Sequence, residues 1–158
     1  MGKQAVAVDD TEARIAGFIA AYDARMIEEI ADCRRRMQAL FPRGIEFVYD
    51  NYNSLVFGYG PNERASEAVL SLACFPRWVT LCLLWGVKLP DPKGLLKGEG
   101  KQVRSLRLAE PADLENADVL ALIRAAIQPS EAALSAAPPL RTVIRAVSVK
   151  QRARRPGR

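Results

Sequence analysis

The chain has 158 residues, of which 49% are hydrophobic, so it can form one globular domain and is too apolar for a disordered protein. It contains no histidine, which removes the usual general base and the commonest metal ligand, and no apolar run approaches the ~20 residues of a membrane helix. Residues 141–158 hold seven Lys/Arg and no acid (+7), whereas residues 1–140 hold sixteen bases and eighteen acids (−2). The basic character therefore belongs to the C-terminal tail, which argues against a nucleic-acid site spread over the whole domain.

Residues 11–41 are the first predicted helical stretch. Asp23 is a candidate N-cap, so two helices with a joint near Tyr22 are an alternative to one long helix. Pro42 and Gly44 end the stretch. The helical assignment rests on apolar side chains that recur at spacings of three and four: Ile15, Phe18, Ile19, Tyr22, Met26, Ile30, Cys33, Met37 and Leu40.

Five short strands follow, and a closing helix is predicted over residues 113–127. The breaks between the strands are too short for helical crossovers, so mostly antiparallel pairing is expected. The sequence thus predicts a two-layer α+β fold, with an antiparallel sheet of about five strands, N-terminal helices and a closing C-terminal helix. The strand candidates are 45–49, 55–59, 68–75, 78–85 and 103–108.

The strands on either side of Pro76 and Arg77 can be paired by sequence alone. If Cys74 faces Val79, one face of the pair is wholly apolar and should lie under the helices. The other face is small and semi-polar in its middle, with the aromatics Phe75 and Trp78 at one end, and is interpreted either as a solvated outer face or as the floor of a pocket. This register places Cys74 and Cys82 on opposite faces, so no disulfide between them is expected. Unpaired thiols favour a reducing, cytoplasmic location.

Three segments are predicted along the chain. Residues 1–128 form the single domain, and the Ala/Ser/Pro-rich residues 129–140 are interpreted as a linker. Residues 141–158 form a basic tail whose β-branched first half suggests an edge strand, with a helix as the alternative, and whose end is expected to be disordered. Cations of this end are candidates for holding nucleic acid or an acidic partner electrostatically: Lys150, Arg152, Arg154 and Arg155.

A glycine-broken cationic stretch over residues 88–107 carries six Lys/Arg against two acids. It is not a Walker loop, because Gly94 and Gly100 are one residue too far apart and Gln102 replaces the required Ser/Thr. It is interpreted as a solvated loop or, alternatively, as a cradle for an anion or a flat ligand beside the aromatic-rich strands. The predicted ligand contacts are Glu46, Tyr49, Lys97, Lys101 and Arg104.

Glu46 interrupts an otherwise apolar strand, and a small acidic cluster lies on the second half of the helical stretch. The favoured interpretation of Glu46 is a solvent-facing residue, although a role as cation ligand or acid/base is an alternative. In the cluster of Glu28, Glu29 and Asp32, neighbouring arginines oppose cation binding. We therefore interpret that surface as a salt-bridged helix face, with no metal and no cofactor expected.

The stretch from Tyr22 to Ile127 resembles the YdhG-like family of bacterial domains of unknown function. The likeness rests on FPRGIEFVYDNY, on the strand series LVFGYGP and AVLSLACFPRWVTLCLLWG, and on GLLKGEGKQVRSLRL before a closing helix. It implies a small α+β domain with helices on a curved antiparallel sheet. One branch of the family is described as a frataxin-like iron chaperone, whereas most members have no assigned activity.

Taken together, these observations predict a non-enzymatic cytoplasmic domain that binds a small or anionic ligand. The alternative is an accessory protein that holds nucleic acid or an acidic partner through its basic tail. A frataxin-like iron carrier is the third alternative, because the resemblance suggests it while the missing histidine and the arginine-crowded acidic cluster do not.

Overall fold

The computed structural model describes residues 9–157, and these form four α-helices and six β-strands. The helices are Thr11–Ala20 (α1), Ala24–Leu40 (α2), Ala117–Ile127 (α3) and the short Glu131–Ala136 (α4). The strands are Ile45–Asp50 (β1), Leu55–Gly60 (β2), Leu70–Cys74 (β3), Val79–Leu83 (β4), Arg104–Leu108 (β5) and Arg141–Val147 (β6).

The strands form one sheet in the order β5-β4-β3-β2-β1-β6. The first five pair antiparallel, and β6 lies parallel to β1 at the edge. A parallel neighbour needs a long crossover, which the segment containing α3 and α4 supplies. The α+β class is confirmed, and so is the edge-strand interpretation of the first half of the tail, which adds one strand to the predicted five.

The predicted hairpin register is also confirmed. Cys74 faces Val79, and Leu72 and Leu70 face Leu81 and Leu83. These side chains are buried in one core together with the inner faces of α1 and α2. The helical stretch is two helices, because the Asp23 carboxylate accepts the backbone N–H of Met26 at 2.9 Å and so caps α2.

The turn into β1 depends on a glycine. Gly44 has a φ of 103°, a conformation that side chains disfavour. A Cβ atom at this position would lie 2.3 Å from the carbonyl oxygen of Gly60. The backbone therefore approaches β2 here more closely than any other residue would permit.

The linker interpretation of residues 129–140 is wrong. The segment contains α4, whose Leu134 is buried in the main core, and Ala137 is also buried. Backbone hydrogen bonds fix its end, because Gly44 donates to the carbonyl of Pro138 and Leu140 donates to that of Pro42. A single buried leucine among alanines and serines produces no periodic apolar pattern, so the packing of α4 on the core could not be predicted from the sequence.

Within residues 9–157, no helix is both long enough and apolar enough to cross a membrane.

The two faces of the sheet predict different thiol reactivities. All three cysteines are free; Cys33 and Cys74 are buried, whereas Cys82 is half-buried on the outer face. Burial raises the pKa of all three thiols, to about 12 for Cys33 and well above the ordinary value for Cys74, so the partial exposure of Cys82 is what makes it the accessible thiol.

We therefore expect an aromatic disulfide reagent to label one thiol per native chain and three per denatured chain, as measured by absorbance. The Cys82→Ser variant should lose the native reaction. Rapid native labelling of that variant would contradict the assignment of faces.

Candidate functional site

The five predicted ligand contacts do not form one site. Glu46 and Tyr49 lie on β1, whereas Lys97, Lys101 and Arg104 lie on or beside β5, four strand spacings away. Four spacings span about 19 Å, too far for one small ligand to contact both groups. The interpretation of these residues as a single site is therefore wrong, and each group is described by its own surroundings.

The glycine-lysine loop covers the edge of the sheet. Lys97 and Ser105 exchange two backbone hydrogen bonds of 2.7 and 2.8 Å, which pair the loop with β5. The Arg104 guanidinium donates to the carbonyl of Gly100 at 2.6 Å and is thus occupied by the loop itself. Lys97 and Lys101 are exposed. The loop is ordered by these contacts, and its arginine is not available as predicted for an anion cradle.

Glu46 lies on the core side of β1, so the predicted solvent-facing position is wrong. Its side chain is 0% exposed. The Arg34 guanidinium donates to both carboxylate oxygens, at 2.8 and 3.1 Å, from α2. The hydroxyls of Tyr59 and Thr142 donate at 2.5 and 2.7 Å, from β2 and β6. One carboxylate thus connects α2 to the strands β1, β2 and β6. The alternation of residues along one strand cannot predict these hydrogen bonds, because the partners come from other elements.

The electrostatics identify Glu46 as an ionised structural residue. Burial alone would raise its pKa, but the hydrogen bonds and charge of Arg34, with the hydroxyls of Tyr59 and Thr142, outweigh burial and hold the pKa below its ordinary value. Burial and the adjacent carboxylate raise the pKa of Tyr59 well above its ordinary value, so this phenol stays a donor. Tyr49 points to the outer face and stacks on Phe47, with 6.4 Å between ring centres. No proton-transfer chemistry is favoured for these groups.

The C-terminal tail is docked, and the prediction of a disordered end is wrong for the described residues. Arg154, predicted as a nucleic-acid contact, is 5% exposed. Its guanidinium donates to the Asp50 carboxylate at 3.0 Å and to the carbonyls of Asn51 and Tyr52. Both side chains of this ion pair are buried, at 3% and 7% exposed. The pair anchors the tail below the end of β1.

Further hydrogen bonds align the tail on either side of this anchor. The backbone N–H of Ser148 donates to the carbonyl of Asp50 at 2.8 Å, and that of Arg152 donates to the carbonyl of Tyr52 at 2.8 Å. The Arg155 guanidinium donates to the carbonyl of Ala21, at the joint between α1 and α2, at 3.3 Å. The tail therefore runs past the loop between β1 and β2 and reaches the helices.

A cavity of about 830 Å³ lies between the docked tail and the tip of the hairpin that joins β3 and β4. We call it the tail pocket. The hairpin supplies two aromatic rings, Phe75 and Trp78, whose centres are 5.6 Å apart. Its size is typical of small-molecule sites. The lining residues are Asn53, Phe75, Pro76, Arg77, Trp78, Arg152, Ala153, Arg155, Pro156 and Gly157.

The charged side chains that line the tail pocket are all positive. Its described lining includes Arg77, Arg152 and Arg155 and no acidic residue. Within residues 9–157, none of these three forms a salt bridge. A fourth cation, Arg107 of β5, lies 3.6 Å from the centre of the Trp78 ring. Guanidinium groups without a carboxylate partner, placed beside aromatic rings, suit a ligand that combines a planar ring with a negative charge.

Sequence reasoning identified half of this pocket. Arg152 and Arg155 were named as tail cations, and Phe75 with Trp78 as an aromatic end of the outer sheet face. Their juxtaposition depends on the docking of Arg154, which no local pattern reveals. Lys150, the remaining predicted tail contact, is exposed and lies outside the lining.

Two of the three acids of the cluster on α2, Glu29 and Asp32, are salt-bridged as predicted, whereas Glu28 forms no salt bridge within residues 9–157. Glu29 pairs with Arg25 at 2.8 Å, and Asp32 pairs with Arg36 at 3.0 Å. Among residues 9–157, no group of three or more Cys, Asp or Glu side chains is arranged to hold a metal ion.

Comparisons with known proteins add no relative: no family model, no curated protein and no solved structure matches this chain. The likeness to the YdhG-like family therefore stays a prediction.

The Glu46 network generates a prediction about acid stability. Because the pKa of folded Glu46 lies below its ordinary value of 4.5, its stabilisation is complete above about pH 4.5 and is lost as the pH falls towards the lower, folded-state pKa. Replacing Glu46 by Gln leaves Arg34 with the exposed Glu12 as its remaining ion-pair partner and should cost about 2 kcal/mol at neutral pH, because hydrogen bonds to a buried charged group are lost. It should also flatten the acid limb of the stability curve, measured by urea unfolding at several pH values.

The matched control is Glu29→Gln, which removes a carboxylate from a more exposed pair on the same helix layer. It should cost less than about 1 kcal/mol. Equal effects of the two substitutions would show that the Glu46 network is not the stabilising element.

The anchor generates a second prediction. A chain that ends at Val149 loses the buried ion pair of Asp50 with Arg154 and the Arg154 hydrogen bonds to the carbonyls of Asn51 and Tyr52, so its free energy of unfolding should fall by about 3 kcal/mol. Adding Asp50→Asn to the shortened chain should recover part of the loss, because the buried charge is removed. Arg152→Ala in the full chain, which deletes an exposed arginine, is the control and should change stability by less than about 0.5 kcal/mol. No loss in the shortened chain would contradict the buried ion pair.

Proposed function

We propose that this chain is a non-enzymatic binding domain whose tail pocket takes a small ligand with a planar ring and a phosphate or carboxylate group. The observation that carries the proposal is the lining itself: three arginines without salt-bridge partners among the described residues, together with two aromatic rings, in about 830 Å³. Arginine binds phosphate and carboxylate through paired N–H donors, and aromatic side chains stack on planar rings. A nucleotide offers both features, a planar base and a phosphate group.

The proposal describes binding without catalysis. The ionisable groups of the pocket lining are arginines, which stay protonated and cannot act as general bases at neutral pH. The buried Glu46 carboxylate accepts hydrogen bonds from Arg34, Tyr59 and Thr142, and the buried Asp50 carboxylate accepts one from Arg154. A reducing compartment such as the cytoplasm is part of the proposal, because all three cysteines are free thiols.

A second candidate is single-stranded nucleic acid, and one observation favours it. The exposed cations Lys150, Arg152 and Arg155 continue along the tail from the pocket. A track of cations beside stacking aromatics is the usual arrangement for sequence-tolerant binding of single strands. In this case the pocket would hold one nucleotide of a longer chain.

Fluorescence of Trp78 tests the proposal, with Trp85→Phe as the background so that Trp78 is the one remaining tryptophan. Addition of adenosine monophosphate should change the emission, whereas inorganic phosphate and adenosine should each bind more weakly, because each makes half of the contacts. The double variant Arg152→Ala/Arg155→Ala should weaken nucleotide binding at least about tenfold. Lys97→Ala/Lys101→Ala, which removes two cations from the distant loop, is the matched control and should leave it unchanged.

Binding that survives the double tail variant would place the ligand elsewhere, and absence of binding by all four nucleoside monophosphates would sink the nucleotide proposal. A ten-residue oligothymidylate separates the two candidates. If three arginines contact a strand, the logarithm of its affinity should fall with the logarithm of salt with a slope of about −2. A strand that binds no more tightly than the mononucleotide would favour the small ligand.

A further inference from the structure

A second surface of the domain combines exposed apolar side chains with lysines. Trp85, Val87 and Val103 are 48%, 44% and 42% exposed. They belong to one patch, because the N–H of Val87 donates to the carbonyl of Gln102 at 3.0 Å and so joins the segment after β4 to the start of β5. We call the patch, with the cations Lys88, Lys97 and Lys101 on the same segments, the Trp85 surface.

A cleft of about 580 Å³ opens beside Trp85. One wall consists of Trp85, Lys88 and Leu89, and the opposite wall includes Ala126 at the end of α3 and Pro129 just after it. Glu67 also lines the cleft. The ammonium of Lys88 lies 4.8 Å from the centre of the Trp85 ring. The cleft is therefore mainly apolar with a cation at its rim, and its volume accommodates one or two large apolar side chains.

The charge of this surface is unbalanced. Among residues 9–157, the three lysines form no salt bridge. Asp91 does not neutralise them by pairing, since its carboxylate accepts the backbone N–H groups of Leu95 and Leu96, both at 2.9 Å. Two further carboxylates do not balance the lysines: Glu67, in the lining of the cleft, is paired with Arg64 at 3.3 Å, and Glu99 is a single acid between Lys97 and Lys101. Residues 88–101 hold four lysines against Asp91 and Glu99, a net charge of +2, which an acidic partner would complement.

The surface is also ordered before any partner binds. The backbone pairing of Lys97 with Ser105 holds the loop on the edge of β5. Gly98 has a φ of 134°, and this conformation lets the loop turn back along the strand. Little ordering entropy is then lost on binding, which favours affinity from a small contact area.

We propose that the Trp85 surface docks an acidic amphipathic segment of another protein. A large apolar side chain of the partner enters the cleft beside Trp85, and its carboxylates pair with Lys88, Lys97 and Lys101. This interaction is independent of the tail pocket. Trp78 and Trp85 flank opposite ends of β4, whose five residues span about 17 Å.

Peptide display on the full chain tests this proposal. A library of random peptides about nine residues long is selected on the wild type and depleted on Lys97→Glu/Lys101→Glu, since a segment of that length spans such a patch. The enriched sequences should combine several Asp or Glu with one or two of Leu, Ile, Phe and Trp. In fluorescence anisotropy, an enriched peptide should bind at least about tenfold more weakly to Trp85→Ala. Arg152→Ala, which removes a cation from the tail pocket beside the other end of β4, is the control and should bind the peptide as the wild type does.

Three outcomes overturn the proposal. They are the absence of enrichment over the charge-reversed variant, enrichment of peptides without acidic residues, and equal affinity for the wild type and a folded Trp85→Ala variant. Vesicles of phosphatidylglycerol are the competing probe. Vesicle binding that depends on Trp85, without enrichment of acidic peptides, would reassign the surface to an anionic lipid.

Discussion

The buried ion pair between Asp50 and Arg154 determines the shape of the proposed site. Arg154 lies 104 residues after its partner, and its guanidinium also contacts the carbonyls of Asn51 and Tyr52. Two buried charges are costly unless they are paired, so the tail has one strongly favoured position. That position brings Arg152 and Arg155 against the aromatic hairpin tip and closes the tail pocket. Without it, the same residues would be a solvated basic end and a half-exposed pair of rings.

Strand β1 carries two inward-facing carboxylates, and each forms an ion pair with a different part of the chain. Glu46 and Asp50 share the core face of β1 with Val48 between them. Glu46 receives Arg34 from α2, and Asp50 receives Arg154 from the tail. A buried carboxylate specifies a partner more narrowly than an apolar side chain does, because an unpaired charge is penalised heavily. The two pairs thus fix the helices on one side of the sheet and the tail at its end.

The sequence predicted what local patterns control. The apolar alternation of the hairpin gave the register of β3 and β4 correctly, and spacings of three and four located α1, α2 and α3. It failed where a distant partner decides the outcome. Glu46 was assigned to solvent because its donors come from α2, β2 and β6. Arg154 was assigned to a free tail for the same reason, and Leu134 was lost in an apparent linker. Residues on both sides of the tail pocket could be identified from the sequence, but their proximity in the fold could not.

Amide hydrogen exchange of the tail tests the central claim most directly. The account predicts that the N–H groups of Ser148 and Arg152, which donate to the carbonyls of Asp50 and Tyr52, exchange slowly in the wild type. It also predicts that Arg154→Ala brings both to the rate of an unstructured peptide while the amides of β3 and β4 stay protected. Exchange of Ser148 and Arg152 at the unstructured rate in the wild type would contradict it, because the tail would then be undocked and the pocket absent.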